Sequence, residues 1–381
     1  MGSGNMGSRR EVLGIGAGMA ALGLAPGLAS RAFAADRKIG DAAADRKIGY
    51  AIVGLGYYAT RQIMPNFAGC ENARLVALVS GTPAKLEQYG SEYGIPPSYR
   101  YSYDQFDRIR DNPDIDAVYI VLPNSLHAEY SIRAAQAGKH VLCEKPMATS
   151  VAECQAMIAA SRKAGKKLMI GYRSRFEPYN RLAIELARGG HVGPTRLITA
   201  EHGFPIQPGQ WRLDKALSGG GSMMDIGIYS LNAARYLTGE EPVEVSAVES
   251  TDRSDPRFRT VEDRISFVLR FPSGIEANCI SSYSSAHNGY RVIGTQGWIA
   301  MEPATPYVGQ TMTIRKDGVT APRTLPPPAR NQFAGQLDHL AECILKGTTP
   351  IVAGEEGLAD MRVIEAIYRS AAERRHIEMT A

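Results

Sequence analysis

Cysteine is scarce in this sequence of 381 residues, which contains five of them. No two stand in a C-x-x-C pair and their number is odd, so neither a disulfide framework nor a zinc site is predicted, and no metal is expected. An excess of charge of one sign is also lacking, since 43 basic side chains stand against 39 acidic ones. The basic residues are spread along the chain, which argues against a nucleic-acid-binding protein.

A long apolar run is missing as well. The most apolar stretch near the start, residues 14–29, is short, rich in glycine and interrupted by Pro26, whereas a membrane-spanning helix needs about 20 apolar residues. A membrane anchor is therefore disfavoured. The length of the chain favours two domains, and its hydrophobic content of 44% is sufficient for a sizeable core.

The first 35 residues have the pattern of an export signal. Arg9 and Arg10 form a twin-arginine pair, a weakly apolar run follows, and Ala32 and Ala34 form an A-x-A cleavage site. We therefore expect residues 1–35 to be a twin-arginine signal peptide that directs the folded protein to the periplasm. We interpret residues 36–47 as a linker. The sequence Asp-Arg-Lys-Ile-Gly occurs at 36–40 and again at 45–49, so the second copy extends into the first strand.

Strands and helices alternate after Ile48, which predicts a parallel sheet with helices on both faces, a Rossmann domain at 48–172. After about Tyr172, strand-like segments follow one another with few helices between them, which favours a large open, mostly antiparallel sheet at 173–381. The fold class is thus α/β followed by α+β. The strands expected in the second domain are Thr195–Glu201, Val243–Glu249, Arg264–Phe271, Glu276–Ser282, Arg291–Ala300 and Met312–Arg315, and the late helices are Gln332–Leu345 and Glu355–Glu373.

A glycine-rich turn follows the first strand. Gly54, Gly56 and Ala59 form the G-x-G-x-x-A variant of the dinucleotide fingerprint, with Leu55, Tyr57 and Tyr58 between them. The first glycine permits a tight turn, the second lets a pyrophosphate approach the backbone, and the alanine lets the helix pack on the strand. A plain structural turn is the alternative, but the strand–turn–helix context favours nucleotide binding.

The end of the second strand lacks the acid that usually binds the ribose of NAD. The sequence there is Ser80-Gly-Thr-Pro-Ala-Lys85, which offers a hydroxyl and an ammonium group to a 2′-phosphate. NADP is therefore favoured over NAD. The alternative is that Lys85 is an ordinary exposed helix residue.

Two further loops follow strands at the carboxyl edge of the sheet, where ligands bind in this architecture. The first supplies Leu122, Pro123, Asn124 and His127, and the second supplies Glu144, Lys145 and Pro146. Lys145 could bind a reacting hydroxyl beside a nicotinamide and stabilise its developing charge. Without further context it could equally be a lysine of an exposed loop.

A glycine-rich segment from Gly219 leads to Tyr229. Ser222 and Asp225 fit an S-x-x-D capping pattern, which predicts a helix start. Asp225 and Tyr229 are then spaced i and i+4 on one face. Tyr229 could transfer a proton, although a capping Asp225 and a core Tyr229 are the simpler interpretation of these residues alone.

Taken together, these motifs resemble the family of glucose–fructose oxidoreductases and inositol dehydrogenases. The resemblance extends over nearly all of residues 48–378 and includes enzymes with aldose–aldose oxidoreductase activity. It rests on the segments GLGYYA, VSGTPAK, LPNSLHAEY, GKHVLCEKPMA, GYR, QWRL and GGGSMMDIGIY.

The resemblance implies a role for each matching residue. Lys145 would be the catalytic lysine before a cis Pro146, Tyr229 the proton-transferring tyrosine and Asp225 its partner near the sugar. Ser80 and Lys85 would hold the 2′-phosphate. The remaining cofactor contacts would come from Tyr103, Leu122, Pro123, Asn124, His127 and Glu144, and from Arg173, Trp211, Arg212 and Tyr307 of the second domain.

The activity implied is a two-sugar reaction. An aldose would be oxidised at C1 to its lactone, and tightly bound NADP would pass the hydride to a second sugar, which becomes an alditol. The alternatives are an aldose or polyol dehydrogenase with exchangeable NADP and a nonenzymatic sugar sensor. The family's long arm before the first strand is not matched, so we expect a homodimer through the open sheet and not a tetramer. Arg175 and Phe176 depart from the family pattern and are expected near the sugar site.

Overall fold

The alternating segments after Ile48 form one sheet in the computed structural model, which describes residues 46–379. Its strands are β1 (Ile48–Val53), β2 (Ala73–Val79), β3 (Arg100–Tyr101), β4 (Ala117–Ile120), β5 (His140–Glu144) and β6 (Leu168–Gly171). They pair in parallel in the order β3-β2-β1-β4-β5-β6. This is the doubly wound order, and it places the nucleotide crevice where the order reverses beside β1.

Helices cover the sheet, so its central strands are buried. All six residues of β1 are inaccessible to solvent, as expected for a strand of a parallel sheet. The helices of this half are α1 (Pro83–Glu92), α2 (His127–Gln136) and α3 (Val151–Lys163). The segment after the glycine turn is less regular, with a π-helix at Ala59–Ile63 followed by a 3-10 helix at Met64–Gly69.

The second half of the described chain builds a nine-stranded sheet. Its strands are β7 (Thr195–Gly203), β8 (Glu244–Ser250), β9 (Arg264–Arg270), β10 (Glu276–Ser282), β11 (His287–Gly294), β12 (Gly297–Met301), β13 (Met312–Lys316), β14 (Val319–Arg323) and β15 (Ile377–Glu378). The order is β14-β13-β12-β11-β7-β10-β9-β8-β15, and only β7 and β10 run parallel among these pairs. The predicted fold class is therefore confirmed.

Two details of this sheet differ from the sequence-based expectation. The segment Arg291–Ala300 is not one strand, because β11 and β12 form a hairpin around Thr295 and Gln296. The sequence pattern predicted one strand because strand-forming residues stand on both sides of this two-residue turn. The strands β14 and β15 were missed: β14 is exposed at every position and β15 has only two residues, so neither shows an apolar alternation.

Helices cover one face of the second sheet and leave much of the other open. The helices are α4 (Pro178–Arg188), α5 (Lys215–Ser218), α6 (Ile228–Thr238), α7 (Gln332–Lys346) and α8 (Gly354–Glu373). In β9 the side chains of Ile265, Phe267 and Leu269 are buried, and the alternate positions are exposed. The open face carries Val248 and Val268, which are 65% and 38% exposed.

The last two helices tie the second half to the first sheet. The hydroxyl of Tyr50 in β1 donates to the carbonyl of Leu337 in α7 at 2.9 Å, and Asp338 accepts from the backbone N–H of Ala73 at 3.1 Å. The chain from Lys47 onward accordingly forms one compact unit, and the domain boundary at residue 172 stays a prediction. Within residues 46–379, no helix has the length and apolar character to cross a bilayer.

Candidate active site

The glycine turn after β1 leaves room for a phosphate group. Gly54 has a φ of +97°, and a Cβ there would lie 2.3 Å from the carbonyl oxygen of Val121, so the tight turn requires glycine. A Cβ on Gly56 would meet no atom within 4 Å. The space beside Gly56 is therefore open, as a pyrophosphate approaching the backbone needs. Of the three residues between the motif positions, Leu55 is buried, Tyr57 is exposed and Tyr58 is half-buried.

The residues predicted to select NADP lie beside this turn. The ammonium group of Lys85 donates to the carbonyl oxygen of Leu55 at 3.0 Å, so it sits next to the fingerprint. The Ser80 hydroxyl, at the end of β2, accepts from the backbone N–H of Thr82 at 3.2 Å. The ring of Tyr103 lies against Gly81, where a Cβ would be 3.0 Å from it. These positions fit a 2′-phosphate, and their role in binding it stays a prediction.

The loop after β4 is held in place by hydrogen bonds to neighbouring segments. Leu122 is buried, Pro123 precedes a short 3-10 turn, and the amide of Asn124 donates to the carbonyl oxygen of Ser218 at 2.8 Å. The imidazole of His127 is fully buried, with its ring nitrogens 2.9 Å from the carbonyl oxygen of Leu122 and 2.8 Å from that of Pro146. The His127 ring thus joins the loop after β4 to the loop after β5, because a buried imidazole needs polar partners, and its contact with the cofactor stays a prediction.

The loop after β5 carries two polar side chains with different surroundings. The Lys145–Pro146 peptide bond is cis, as the resemblance implies. The Glu144 carboxylate is buried and accepts a hydrogen bond from the hydroxyl of Tyr119, and burial raises its pKa. Lys145 extends towards the second half of the molecule, where its ammonium group donates to the carbonyl oxygen of Asp225 at 2.5 Å and lies 3.4 Å from the Asp225 Oδ1 atom.

Asp225 is the centre of a charged network. Its Oδ2 atom is 3.0 Å from Nε of Arg212 and accepts from the hydroxyl of Tyr283 at 3.1 Å. Burial alone would raise the pKa of Asp225, but the charges of Arg212 and Lys145 and these hydrogen bonds outweigh it and lower the pKa below the ordinary value. Asp225 is therefore an ionised carboxylate that can accept a hydrogen bond from a sugar hydroxyl.

Two cations lie close to the ring of Tyr229. Nζ of Lys145 is 4.9 Å from its centroid and Cζ of Arg173 is 5.2 Å from it. The buried imidazole of His202 stacks on the ring at 5.8 Å, and burial, together with the charge of Arg173, lowers the pKa of His202 to about 3. Positive charge at this place would stabilise negative charge that develops on the phenol oxygen during proton transfer.

The second half also supplies an aromatic and cationic wall around the cleft. The buried guanidinium of Arg173 lies 4.9 Å from the ring of Tyr307 and donates to Gln332 at 2.7 Å. Tyr307 in turn is 6.0 Å from the ring of Tyr58 beside the glycine turn. Of the predicted second-domain residues, Tyr307 thus reaches the fingerprint. Arg212 pairs with the Asp225 carboxylate, and Trp211 packs on its guanidinium at 4.7 Å.

The helix predicted at Ser222 does begin there, as a π-helix at Met223–Gly227, but Ser222 makes no capping hydrogen bond, because its hydroxyl pairs with that of Ser281 at 2.9 Å. Arg175 and Phe176 contact the last two helices. The Arg175 guanidinium is 3.1 Å from the carboxylate of Glu356 in α8, and Phe176 packs on His339 in α7. Their place near a sugar site stays a prediction.

Sequence reasoning missed Tyr283 and His202 altogether. Each is a single residue at the end of a strand, where the sequence shows only strand-forming residues and no motif. Pairing of β7 with β10 brings both strand ends to the site. Within the described part of the chain, no group of His, Cys, Asp and Glu side chains could hold a metal ion.

Comparison with known proteins defines the class to which this fold and site belong. Residues 48–172 match the model of the oxidoreductase family with an NAD-binding Rossmann fold, and residues 180–300 match the GFO/IDH/MocA C-terminal domain. The chain belongs to this oxidoreductase family. The resemblance seen in the sequence is thereby confirmed, as is the prediction of an enzyme that oxidises and reduces sugar CH–OH groups.

Individual relatives sharpen the comparison. An aldose–aldose oxidoreductase from Caulobacter crescentus, solved with glycerol, is 64% identical, covers 88% of this chain and 100% of its own, and superposes with a TM-score of 0.87. A D-xylose 1-dehydrogenase named for NADP(+) from Haloarcula marismortui is 32% identical over 84% of this chain and 90% of its own length. An inositol 2-dehydrogenase from Rhizobium meliloti is 30% identical over 82% and 93%. The predicted cofactor, NADP, is confirmed by such relatives.

Proposed function

We propose that this protein is an exported aldose–aldose oxidoreductase that keeps NADP bound while two sugars react in turn. One observation carries the proposal: Lys145 from the first half and Asp225 and Tyr229 from the second meet at the carboxyl edge of β5. The Lys145 ammonium contacts Asp225 and lies 4.9 Å from the Tyr229 ring. The 64% identity to an aldose–aldose oxidoreductase supports this substrate class.

Each residue of the site would have its own role in the reaction. Bound NADP would accept the hydride from C1 of one aldose and return it to the carbonyl carbon of a second sugar. Tyr229, as its phenolate, would take the proton of the C1 hydroxyl from a hydrogen-bond distance of about 2.6–3.2 Å. Lys145 and Arg173 would stabilise the phenolate before it accepts this proton. Asp225, ionised beside Arg212, would orient the sugar through a hydroxyl.

The second half-reaction would use the same groups in reverse. The second sugar would accept the hydride at its carbonyl carbon, and Tyr229 would return the stored proton to the carbonyl oxygen. The products would be a lactone from the first sugar and an alditol from the second, so protons and hydride balance without a soluble cofactor. The wall formed by Arg173, Tyr307 and Tyr58 would hold the cofactor between the two steps.

A dehydrogenase with exchangeable NADP is the second candidate, and its support is the 32% identity to a D-xylose 1-dehydrogenase. The two functions differ in whether NADP leaves. Purified protein should carry NADP through gel filtration, the bound cofactor should be reduced by xylose or glucose, and an added second aldose should reoxidise it in place. Cofactor that washes out readily and turns over only when NADP is added would favour the dehydrogenase.

We also propose that two copies pair through the open face of the second sheet. This face joins apolar Val248 and Val268 to acidic Glu201, and a depression of about 1010 Å³ there is also lined by the basic run Arg374–His376. Apolar surface with acids and bases side by side can complement itself across a two-fold axis. Sedimentation should show a dimer for the wild type and a monomer for Val268→Asp. A monomeric wild type at micromolar concentration would rule out this assembly.

Export by the twin-arginine route is proposed for the segment 1–35, which lies outside the described residues together with most of the linker. Fractionation of cells should find the protein in the periplasm. The double variant Arg9→Lys and Arg10→Lys, which keeps the charge and removes the pair, should leave it in the cytoplasm. A periplasmic location that survives this change would exclude the twin-arginine route.

A further inference from the structure

The glycine-rich loop before Asp225 is packed unusually closely against two other parts of the second half. A Cβ on Gly221 would lie 2.1 Å from the carbonyl oxygen of Glu262, and a Cβ on Gly220 would lie 2.1 Å from the hydroxyl oxygen of Tyr368 in α8. Glycine is therefore required at both positions for steric reasons. The loop is held against these two residues, and nothing in the chemistry assigned above uses either of them.

The Glu262 carboxylate accepts hydrogen bonds from the backbone of this loop. Its Oε2 atom accepts from the N–H of Gly221 at 2.8 Å, and its Oε1 atom accepts from the N–H of Met223 at 2.9 Å and from the hydroxyl of Tyr368 at 3.0 Å. The N–H of Ser222 also donates to the Glu262 carbonyl oxygen, at 3.3 Å. The backbone N–H groups of three consecutive residues, Gly221 to Met223, are thus all paired with Glu262.

The surroundings of the Glu262 carboxyl group disfavour a negative charge. The residue is 4% exposed, and burial raises the pKa of its carboxyl group. Within residues 46–379 it forms no ion pair with a Lys, Arg or His side chain. A buried carboxylate is costly unless hydrogen bonds compensate for the lost water, and here the compensation comes from the backbone of the loop and from Tyr368.

From this geometry we infer that Glu262, supported by Tyr368, is a positioning residue for the reaction at Lys145, Asp225 and Tyr229. The inference rests on the proposed function for its substrate. Asp225 follows Met223 by two residues, and its N–H donates to the carbonyl oxygen of Gly221 at 3.3 Å. Its own carbonyl oxygen is the closest partner of Lys145. A shift of the loop therefore moves the lysine and the carboxylate together.

A similar arrangement elsewhere in the molecule provides a control. Asp338 in α7 is 1% exposed and accepts from the backbone N–H groups of Glu71 and Asn72, each at 2.8 Å. It too is a buried carboxylate that holds a turn, although it is also paired with Arg330 at 2.7 Å, and its turn precedes β2 at the amino edge of the first sheet, opposite the site. A purely structural role for Glu262 predicts that Glu262→Gln slows NADP reduction no more than Asp338→Asn does.

The experiment compares Glu262→Gln, Tyr368→Phe and Asp338→Asn in the full chain with bound NADP. Glu262→Gln places an amide N–H against a backbone N–H, so the loop should shift. A displacement of about 1 Å can slow a reaction by about 10²-fold, and we expect up to this loss in the rate of NADP reduction by saturating xylose. The xylose concentration that supports half the maximal rate should change little. Tyr368→Phe, which keeps both backbone contacts, should slow the reaction less.

Amide hydrogen exchange of residues 219–225 provides a readout that does not depend on activity. Exchange should accelerate in Glu262→Gln and not in Asp338→Asn, even if both lower the melting temperature equally. Equal rates of NADP reduction in these two variants, or unchanged exchange in Glu262→Gln, would overturn the positioning role. If Glu262→Gln does not fold, a wild-type rate in Tyr368→Phe would overturn it. Failure of any aldose to reduce NADP in the wild type would instead reject the proposed function, and exchange would still decide the role of Glu262.

Discussion

The two halves of the cleft differ in what they present to a ligand, which is backbone in the first half and side chains in the second. The first half presents backbone: Gly54 adopts a φ of +97°, and Gly56 faces open space. The second half presents buried side chains, with Arg173 against the Tyr229 and Tyr307 rings and Arg212 on the Asp225 carboxylate. Two side chains of the first half reach this cluster: Lys145 donates to Asp225, and the ring of Tyr58 lies 6.0 Å from that of Tyr307.

This contrast separates binding from chemistry. A backbone surface recognises phosphate through geometry and needs few particular side chains. Proton transfer instead needs ionisable groups whose charges are set by close neighbours, and those neighbours come from α6, from the end of β10 and from the loop around Arg212. Changes in the second half should therefore affect the reaction more than cofactor binding, and changes in the first half the reverse.

The largest effect is expected at Tyr229. Tyr229→Phe keeps the ring beside Lys145 and Arg173 and removes only the hydroxyl, so bound NADP should be retained. The rate at which an aldose reduces NADP should fall by about 10²- to 10⁴-fold, the usual contribution of a general acid–base group. Rapid mixing with detection of NADPH absorbance measures this rate. A rate near that of the wild type would remove Tyr229 from the mechanism and leave Lys145 as the alternative base.

A change in the first half should affect the choice of cofactor and leave the chemistry intact. Ser80→Asp combined with Lys85→Ala places a carboxylate where a 2′-phosphate would lie and removes the neighbouring ammonium group. Hydrogen bonds to charged groups contribute about 1.5–3 kcal/mol, so the preference for NADP over NAD should fall by about 10- to 100-fold. Binding of both cofactors to stripped protein tests this. An unchanged preference would show that other residues select NADP.

A substitution in the glycine turn should lower the stability of the protein by straining the backbone. Gly54→Ala adds a methyl group 2.3 Å from the Val121 carbonyl oxygen at a positive φ, and we expect a loss of stability of at least about 1–3 kcal/mol together with weaker NADP binding. Gly138→Ala is the control, because Gly138 has a φ of +77° but open space around its Cβ position. Chemical denaturation and NADP titration of both variants separate strain from collision. Equal losses in the two would mean that the close approach to Val121 has no effect.

The smallest effect concerns pH. Burial raises the pKa of Asp225, and Arg212 and Lys145 more than reverse this, so the carboxylate is lost only as pH falls through a pKa below the ordinary range. Arg212→Met removes the strongest of these lowering influences. When the rate of NADP reduction is plotted against pH, its fall on the acid side, the acid limb, should then occur at a higher pH. Arg257→Met, which removes a cation from Asp255 and not from Asp225, should leave the limb in place. An unshifted limb in Arg212→Met would show that Asp225 does not control the reaction.

Much of the fold followed from local pattern. Apolar runs separated by helices predicted the parallel sheet, and β10 was predicted with the bounds Glu276–Ser282 that the structure has. The errors fell where local pattern is weak, at the β11–β12 hairpin and the exposed strand β14. Ser222 shows the same limit, because its capping pattern was overridden by a tertiary partner, Ser281.

The sequence by itself determined the class of the molecule, since the glycine turn, the missing acid after β2 and the loops at the carboxyl edge are each encoded within a few residues. Only the tertiary structure decided what surrounds the reacting groups. Tyr283 reaches Asp225 across 58 residues, and Glu262 reaches Gly221 across 41. No spacing rule connects such positions, because they become neighbours only when the strands pair. The physical reason is that a charged site depends on distances in space, which a linear pattern does not contain.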